Sequence, residues 1–512
     1  MMKRALFALA ATGLLAGATA HAQPAMDDDV LDHAEEICEI EGAAPLDAMV
    51  IDGRNFGTAT ELAAALADAG AHAVVIAGGN FSGEDMRAIA PYLSGGCMTH
   101  AELEHTNWSG VEIPDVRFVA SDLSDADMRG AQMPRAIFHG VALTRAKLAA
   151  AQMPQAQFIA AFVNTDMEGA NFAGADLTGS RFTCGITVDQ WCMNSYDASF
   201  AGADLSEADL SSFGIWDEEM MRGARFDSTM VAPRSLRYLT QVSLEGPVIL
   251  KAEYGDVVAE DPETPPPSTA TITPQEMRAL ILSTRSETHD AASFDCAKAA
   301  STVEKLICGE WAMDLRDLDR DLSALYAEAR AAGKVTVASQ RAWLAARNRC
   351  SDEDCLRDSY AGRMDALFAA LGDRLILAPD QRVTYRENVL PLPDAMRETP
   401  LYARILPVLA EASSMHVTLT GMEDGSVSAE GFALGANAHT CDMGVYGATF
   451  DPANGWYSAE AEDGTRVPLF RVWGERLLLR YSGNLGDTPS EASNFISCGA
   501  RASFGNLRNL GA

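Results

Sequence analysis

The sequence predicts a multidomain α+β protein: a four-sided β-helix, a small disulfide-linked helical domain and a C-terminal, mainly-β domain. Three observations carry this. From Leu103 a large apolar residue recurs at every fifth position for about 110 residues. Near residue 290 the apolar spacing changes to alternating steps of four and three, the period of an amphipathic helix. Beyond residue 395 short runs of β-branched and aromatic residues alternate with Gly, Asn and Asp turns.

Length and charge set the frame. At roughly 150 residues per domain, 512 residues suggest about three domains. Lys and Arg number 39 against 72 Asp and Glu, a net charge of −33. A nucleic-acid binder needs cations to displace counterions, so this balance excludes that class and favours a protein partner, a basic one above all.

The chain opens with a secretory leader at 1–22. Lys3 and Arg4 form a basic start, Ala5 to Leu15 an apolar stretch, and Ala20-His21-Ala22 a small-residue cleavage site. The apolar stretch is short for a membrane span, and no other segment approaches 18 apolar residues. A periplasmic or secreted protein is expected. Its ten cysteines then oxidise. Expected bridges are Cys38–Cys97, Cys184–Cys192, Cys441–Cys498 and two among Cys296, Cys308, Cys350 and Cys355. Short spacing favours Cys296–Cys308 and Cys350–Cys355, with crossed pairing left open. No CxxC and no His pair at ligand spacing suggests a metal.

Residues 23–100 read as a helical cap and the first coils. Ile51-Asp52-Gly53-Arg54-Asn55-Phe56 and Ile76-Ala77-Gly78-Gly79-Asn80-Phe81 share I-x-G-x-N-F, 25 residues apart. Helical patterns follow each, at 60–69 and 84–93. An earlier helix, Asp29 to Glu41, is expected to cover the open end.

Residues 101–257 carry the five-residue period. On a helix five residues rotate the apolar group by about 140°, and on a strand an odd step flips the face, so neither element fits. A corner every five residues lets each large residue point inward, and four faces close a coil of twenty. Coils then stack about 4.8 Å apart. The inward set includes Leu123, Phe138, Phe158, Phe172, Leu177 and Leu205. Asp122, Asp127, Asp176, Asp204 and Asp209 each precede an inward residue and are expected to face out. Ser121-Asp122-Leu123, Ala170-Asn171-Phe172, Ala175-Asp176-Leu177 and Ala203-Asp204-Leu205 resemble the unit A-(D/N)-L-x-x of the pentapeptide-repeat family. The resemblance implies a right-handed quadrilateral β-helix. Cytoplasmic members that mimic a DNA rod bind gyrase; the acidic coils fit that and the leader does not. Cys184 to Cys192 reads as a side excursion anchored by Trp191, and Trp216 to Met221 as a short helix.

Residues 258–289 read as linker and helix. Residues 290–372 form the helical domain. Trp311, Leu315, Leu318, Leu322 and Leu325 mark one helix, 339–349 a shorter one with Trp343, and Leu356 to Leu371 a third. Phe294-Asp295-Cys296, Val303 to Cys308, Leu315-x-x-Leu318-Asp319, Gln340-Arg341-Ala342-Trp343 and Cys350…Cys355 resemble the LprI-type lysozyme-inhibitor domain. That resemblance implies a basic lysozyme as partner. This segment has 14 acids and 11 bases, a net charge of −3, against −12 for 23–100 and −11 for 101–232. Its binding is therefore expected to come from shape and apolar contact. Residues 373–512 form the C-terminal β domain, which resembles a module appended to LprI-type domains. His439 beside Cys441 suggests a nucleophile, but pairing with Cys498 removes the thiol.

No H-E-x-x-H, G-x-S-x-G or phosphate-binding glycine motif is present. No catalytic, cofactor-binding or metal-ligating residue is therefore assigned. The expected function is an exported bacterial protein-interaction scaffold, lysozyme-inhibitor-like, without an expectation on oligomeric state. The alternative is a cell-envelope enzyme with paired carboxylates between domains.

Overall fold

The structure, a computed structural model, describes residues 34, 38, 49–69, 73–160, 165–184, 193–252, 267–286, 292–309, 312–434, 439–482, 488–499 and 502–511. The leader, Phe162, Trp191, Cys192 and Trp311 lie outside them, and with Cys192 the expected Cys184 bridge.

The five-residue unit turns its corner through the Asp or Asn before each inward residue. Asp122 Oδ1 accepts from the Ser124 N–H at 2.9 Å, Asn171 Oδ1 from Ala173 at 2.9 Å, and Asp176 Oδ1 from Thr178 at 3.1 Å. This side-chain bond stands in for a backbone turn. The corner itself is left-handed, with φ near 57° at Asp125 and 56° at Arg145. The small residue that follows closes the turn, as Ala126 N–H does on the Leu123 carbonyl at 3.1 Å.

Four corners make a coil. Parallel pairing links residues twenty apart on every face: Glu102 to Asp122, Asn107 to Asp127, Glu112 to Gln132, and Arg117 to Ile137. One face is an eleven-stranded sheet from Val50–Asp52 to Thr269–Ile272, parallel except for its last pair. Leu123, Phe138, Phe158, Phe172, Leu177 and Leu205 are fully buried. Phe118, Phe138, Phe158 and Phe182 stack coil upon coil at ring separations of 5.5, 4.9 and 4.7 Å.

Gly53 and Gly78 explain the I-x-G-x-N-F pair. Val50–Asp52 and Val75–Ala77 lie in register, and a Cβ on Gly53 would meet the Gly78 carbonyl at 2.2 Å. Helix α1 (Ala59–Ala69) closes the first coil. The helix expected at 84–93 is instead two 3-10 turns, Met86–Ala88 and Ala90–Tyr92. Asp85 accepts from the Arg87 N–H, so Asp85-Met86 is a repeat unit five residues after Asn80-Phe81. Of the end cap expected at 29–41 only Ala34 and Cys38 are among the described residues; these two pack on the side of the coils, over Val75, Ala77, Cys97 and Val119. Those residues flank the inward strand positions, so the sheet is apolar outside as well and needs cover. Cys38–Cys97 and a bond from Arg117 Nη1 to the Cys38 carbonyl at 2.8 Å hold the cover in place.

Asp122, Asp127 and Asp176 point outward but are half-buried, because their turn bonds fold them onto the backbone. Asp209 is buried at 6% exposure. Lys251 Nζ lies 2.5 Å from it, and Ser211 donates both N–H and hydroxyl. Burial pushes this carboxyl up, but the Lys251 ammonium and the Ser211 bonds outweigh it and hold it below the ordinary range. A depressed carboxyl stabilises the fold above its unfolded value and loses that contribution as pH falls through the folded value. Asp209→Ala is expected to cost about 3 kcal/mol, the low end for a broken buried pair because Lys251 keeps 20% side-chain exposure. The cost should be full at neutral pH and shrink below about pH 4, where the unfolded carboxyl protonates. Urea unfolding at several pH values measures it; a pH-independent cost refutes the ion pair.

Trp216 to Met221 is turns rather than a helix, since Asp217 Oδ1 takes the N–H groups of Glu219 and Met220. The segment expected as linker and helix holds helix α2 (Pro274–Ser286) and, beyond the expectation, strand Thr269–Ile272, antiparallel to Val248–Lys251. The helical domain holds α3 (Thr302–Ile307), α4 (Met313–Ala331), α5 (Val337–Arg347) and α6 (Glu353–Leu371).

The C-terminal segment is a closed barrel. Eight strands pair in a ring completed by Val427–Leu434 on Thr440–Asp451, and Ile496–Cys498 adds beside the latter. It also contains helix α7 (Pro400–Glu411), which the mainly-β expectation missed. Tyr402, Ile405, Val408 and Leu409 of α7 belong to the solenoid core, with Val248, Leu250, Ile272 and Met277. Helix α7 therefore closes the far end of the coils. Arg404 pairs with Glu276 of α2 at 2.7 Å, and Glu411 accepts from the Ser268 N–H at 3.0 Å.

Candidate functional site

In the helical domain each disulfide staples a helix end. Cys296 pairs with Cys308 at the C-terminus of α3, and Cys350 with Cys355 in the first turn of α6. Cys441 pairs with Cys498 across adjacent barrel strands. Of the residues that carry the LprI resemblance, Asp295, Cys296, Arg341, Ala342 and Cys355 are exposed, while Asp319, Gln340 and Trp343 bond within the domain. Asp319, 5% exposed, accepts from the Tyr360 hydroxyl at 2.6 Å and from Ser293 N–H and Oγ at 2.8 and 2.6 Å. Arg347 donates to Tyr360 Oη at 2.9 Å. Burial, then the Asp319 charge, raises the Tyr360 hydroxyl far above its ordinary value, so it stays a donor. Trp343 packs edge-on to Tyr360 and donates to the Ser359 carbonyl at 3.2 Å. Gln340 accepts from Arg363 at 2.9 Å. These side chains hold the fold, so partner contact falls to exposed residues.

Acidic residues of α4 and α6 dock the domain on the barrel. Asp321 takes both guanidinium nitrogens of Arg476 at 2.8 and 2.7 Å. Glu328 accepts from Trp473 Nε1 at 2.7 Å, and Asp365 from Trp456 Nε1 at 2.8 Å and Arg480 at 2.9 Å. Arg471, 2% exposed, lies 3.9 Å over the Phe368 ring and donates to the Gly455 carbonyl. Burial lowers its guanidinium to about 10, so it remains a cation at neutral pH. The partners are 91 to 155 residues apart in sequence, and no local pattern signals them.

A cleft of about 530 Å³ opens between α4, α6 and strand Arg476–Leu479. Its lining includes the apolar Leu318, Met364 and Leu478 and the charged Asp354, Arg357 and Asp358. Paired carboxylates here would support the enzyme alternative. Asp321, Asp365 and Asp354 are instead each bound to an arginine: Arg476, Arg480 and Arg357. They serve as ion-pair partners rather than as an acid and a base poised on a substrate. Among the described residues, no group of His, Cys, Asp and Glu is placed to hold a metal, and no helix is long and apolar enough to cross a membrane.

On the coils, arginines bind aspartates one turn below: Arg135 to Asp115 at 2.5 Å and Arg145 to Asp125 at 2.7 Å. Hydrogen bonds from Arg54, Arg87, Arg145 and Arg129 hold the carboxyls of Asp52, Asp85, Asp125 and Asp127 below their ordinary range. The solenoid acids thus shape corners and link coils, and they do not converge on one point.

The family profile of pentapeptide repeats matches in eight copies, across residues 97–140, 115–149 and 160–183. No curated protein matches the chain. Among solved structures, trypsin-treated QnrB1, a plasmid-mediated fluoroquinolone resistance protein, is 20% identical over 40% of this chain and 86% of its own, with a TM-score of 0.21. A pentapeptide repeat protein from the Arabidopsis thaliana thylakoid lumen is 23% identical over 23% of this chain and 74% of its own, with a TM-score of 0.15. HetL of Nostoc sp. strain PCC 7120, involved in heterocyst differentiation regulation, is 18% identical over 33% and 66%, with a TM-score of 0.12. Similarity this low carries no weight here; the profile match and the coil geometry do. Together they make residues 97–149 and 165–183 pentapeptide repeats wound into a four-sided solenoid.

Proposed function

We propose that this chain is an exported protein-binding scaffold whose solenoid presents a lysozyme-inhibitor-like helical domain. One observation carries the reading: α7 joins the solenoid core to the barrel, and the barrel docks the helical domain through Asp321, Glu328 and Asp365. The modules are thereby tied together with α5 and the first turn of α6 left exposed. The basic leader and small-residue cleavage site support export, and the LprI-like motifs support a basic lysozyme as partner.

The test is inhibition of a basic lysozyme by the full mature chain, beginning at Gln23, over a range of ionic strength. The isolated segment 290–372 is a poor reagent, because its core includes Trp473 and Leu478 from the barrel. Inhibition that saturates with added protein supports the reading. No inhibition at any ionic strength removes lysozyme as the partner.

A further inference from the structure

The near-neutral total of the helical domain conceals a lopsided surface. Arg357 near the start of α6 is held by Asp314 at 2.6 Å, Glu353 at 2.8 Å and Asp354 at 2.9 Å. Asp358 stands exposed one turn from Asp354. Three carboxylates thus hold one cation, and the Asp358 carboxylate stands beside them. Lys334, Arg341 and Arg349 are exposed before, on and after α5. Asp354 and Asp358 line the cleft of about 530 Å³ together with Asp321 and Asp365, against Arg357 and Arg480, so its lining carries more acids than bases. Asp321 and Asp365 are paired with Arg476 and Arg480.

We propose that this cleft receives a basic side chain, Arg or Lys, inserted by a protein partner. The inference rests on the protein-binding reading above and names the surface that reading leaves open. An arginine or lysine is a cation on a methylene stem. The stem packs on Leu318, Met364 and Leu478, and the head reaches the Asp354 and Asp358 carboxylates. An acidic or neutral side chain would leave the surplus uncompensated, so charge complementarity selects the occupant. The cleft is shared between the helical domain and the barrel, so binding requires both.

The test titrates a fluorescent oligo-arginine peptide into the full chain and reads anisotropy, with a Gly-Ser peptide of equal length as control. Asp358→Lys reverses the exposed charge, and Ala361→Trp fills the cleft without altering charge. Each is expected to weaken oligo-arginine binding on the order of tenfold. Glu112→Lys, on an exposed coil position, is expected to leave it unchanged. Equal weakening by Glu112→Lys means diffuse attraction to an acidic protein and overturns the proposal, as does unchanged binding in both cleft variants. Lysozyme serves as a separate probe. Peptide binding without lysozyme inhibition retains the cleft and removes lysozyme as partner. Lysozyme inhibition that survives both cleft variants does the reverse.

Discussion

Phe138→Ala is expected to destabilise the solenoid by about 3–5 kcal/mol. The ring is fully buried and stacked between Phe118 at 5.5 Å and Phe158 at 4.9 Å, nearly parallel to the latter at 4°. Truncation leaves a void inside a coil whose neighbours above and below are held by backbone pairing and cannot collapse into it. Each lost ring contact adds about 0.5–1.5 kcal/mol to the transfer loss. Phe138→Asp places a carboxylate in the same space with no partner, and the coils should fail to form. Urea unfolding followed by circular dichroism reads the alanine variant, and soluble yield with proteolysis reads the aspartate variant. A loss below about 1 kcal/mol for alanine would be incompatible with the stacked core.

Ile405→Asp is expected to unfold the far end of the solenoid, although the substitution lies in the C-terminal segment. Ile405 is fully buried in the same apolar cluster as Val248, Leu250 and Ile272. Ile405→Ala should cost about 2–5 kcal/mol, and the aspartate more, since it adds an unpaired buried charge. Hydrogen exchange locates the effect. Strand Val248–Lys251 should lose protection while coils near Phe118 keep theirs, because a solenoid transmits stability mainly between neighbouring coils. Unchanged protection at Val248–Lys251 would show that α7 is not the cap. Loss confined to the barrel would show the same.

Several elements were legible from residues alone, for stated physical reasons. The repeat showed because an inward side chain every five residues fits neither helix nor strand. The long helices showed because Leu315, Leu322 and Leu325, and Leu356, Tyr360 and Leu367, follow helical spacing and are buried. Helix α7 was equally readable and went unread. Thr399 caps it, Pro400 occupies its first turn, and Tyr402, Ile405, Val408 and Leu409 share one face. Pro407 inside the helix and the β-rich surroundings hid it. Asp85-Met86 was hidden by a helix-like apolar spacing, against which Pro91 was the available signal.

What the sequence determined by itself is the local chemistry of the coil: Asp or Asn to bind the corner, a small residue to turn it, and a large one to fill it. These depend on residues within a few positions, so order along the chain suffices. Only the tertiary structure decided that α7 caps the coils. It also decided that Asp209 is buried under Lys251, that Ala34 and Cys38 pack on the side of the sheet, and that Asp321 and Asp365 of the cleft are paired with arginines from the barrel. Each depends on contact between segments far apart in the chain, where charge and burial are set by what folds against a residue and not by its neighbours in sequence.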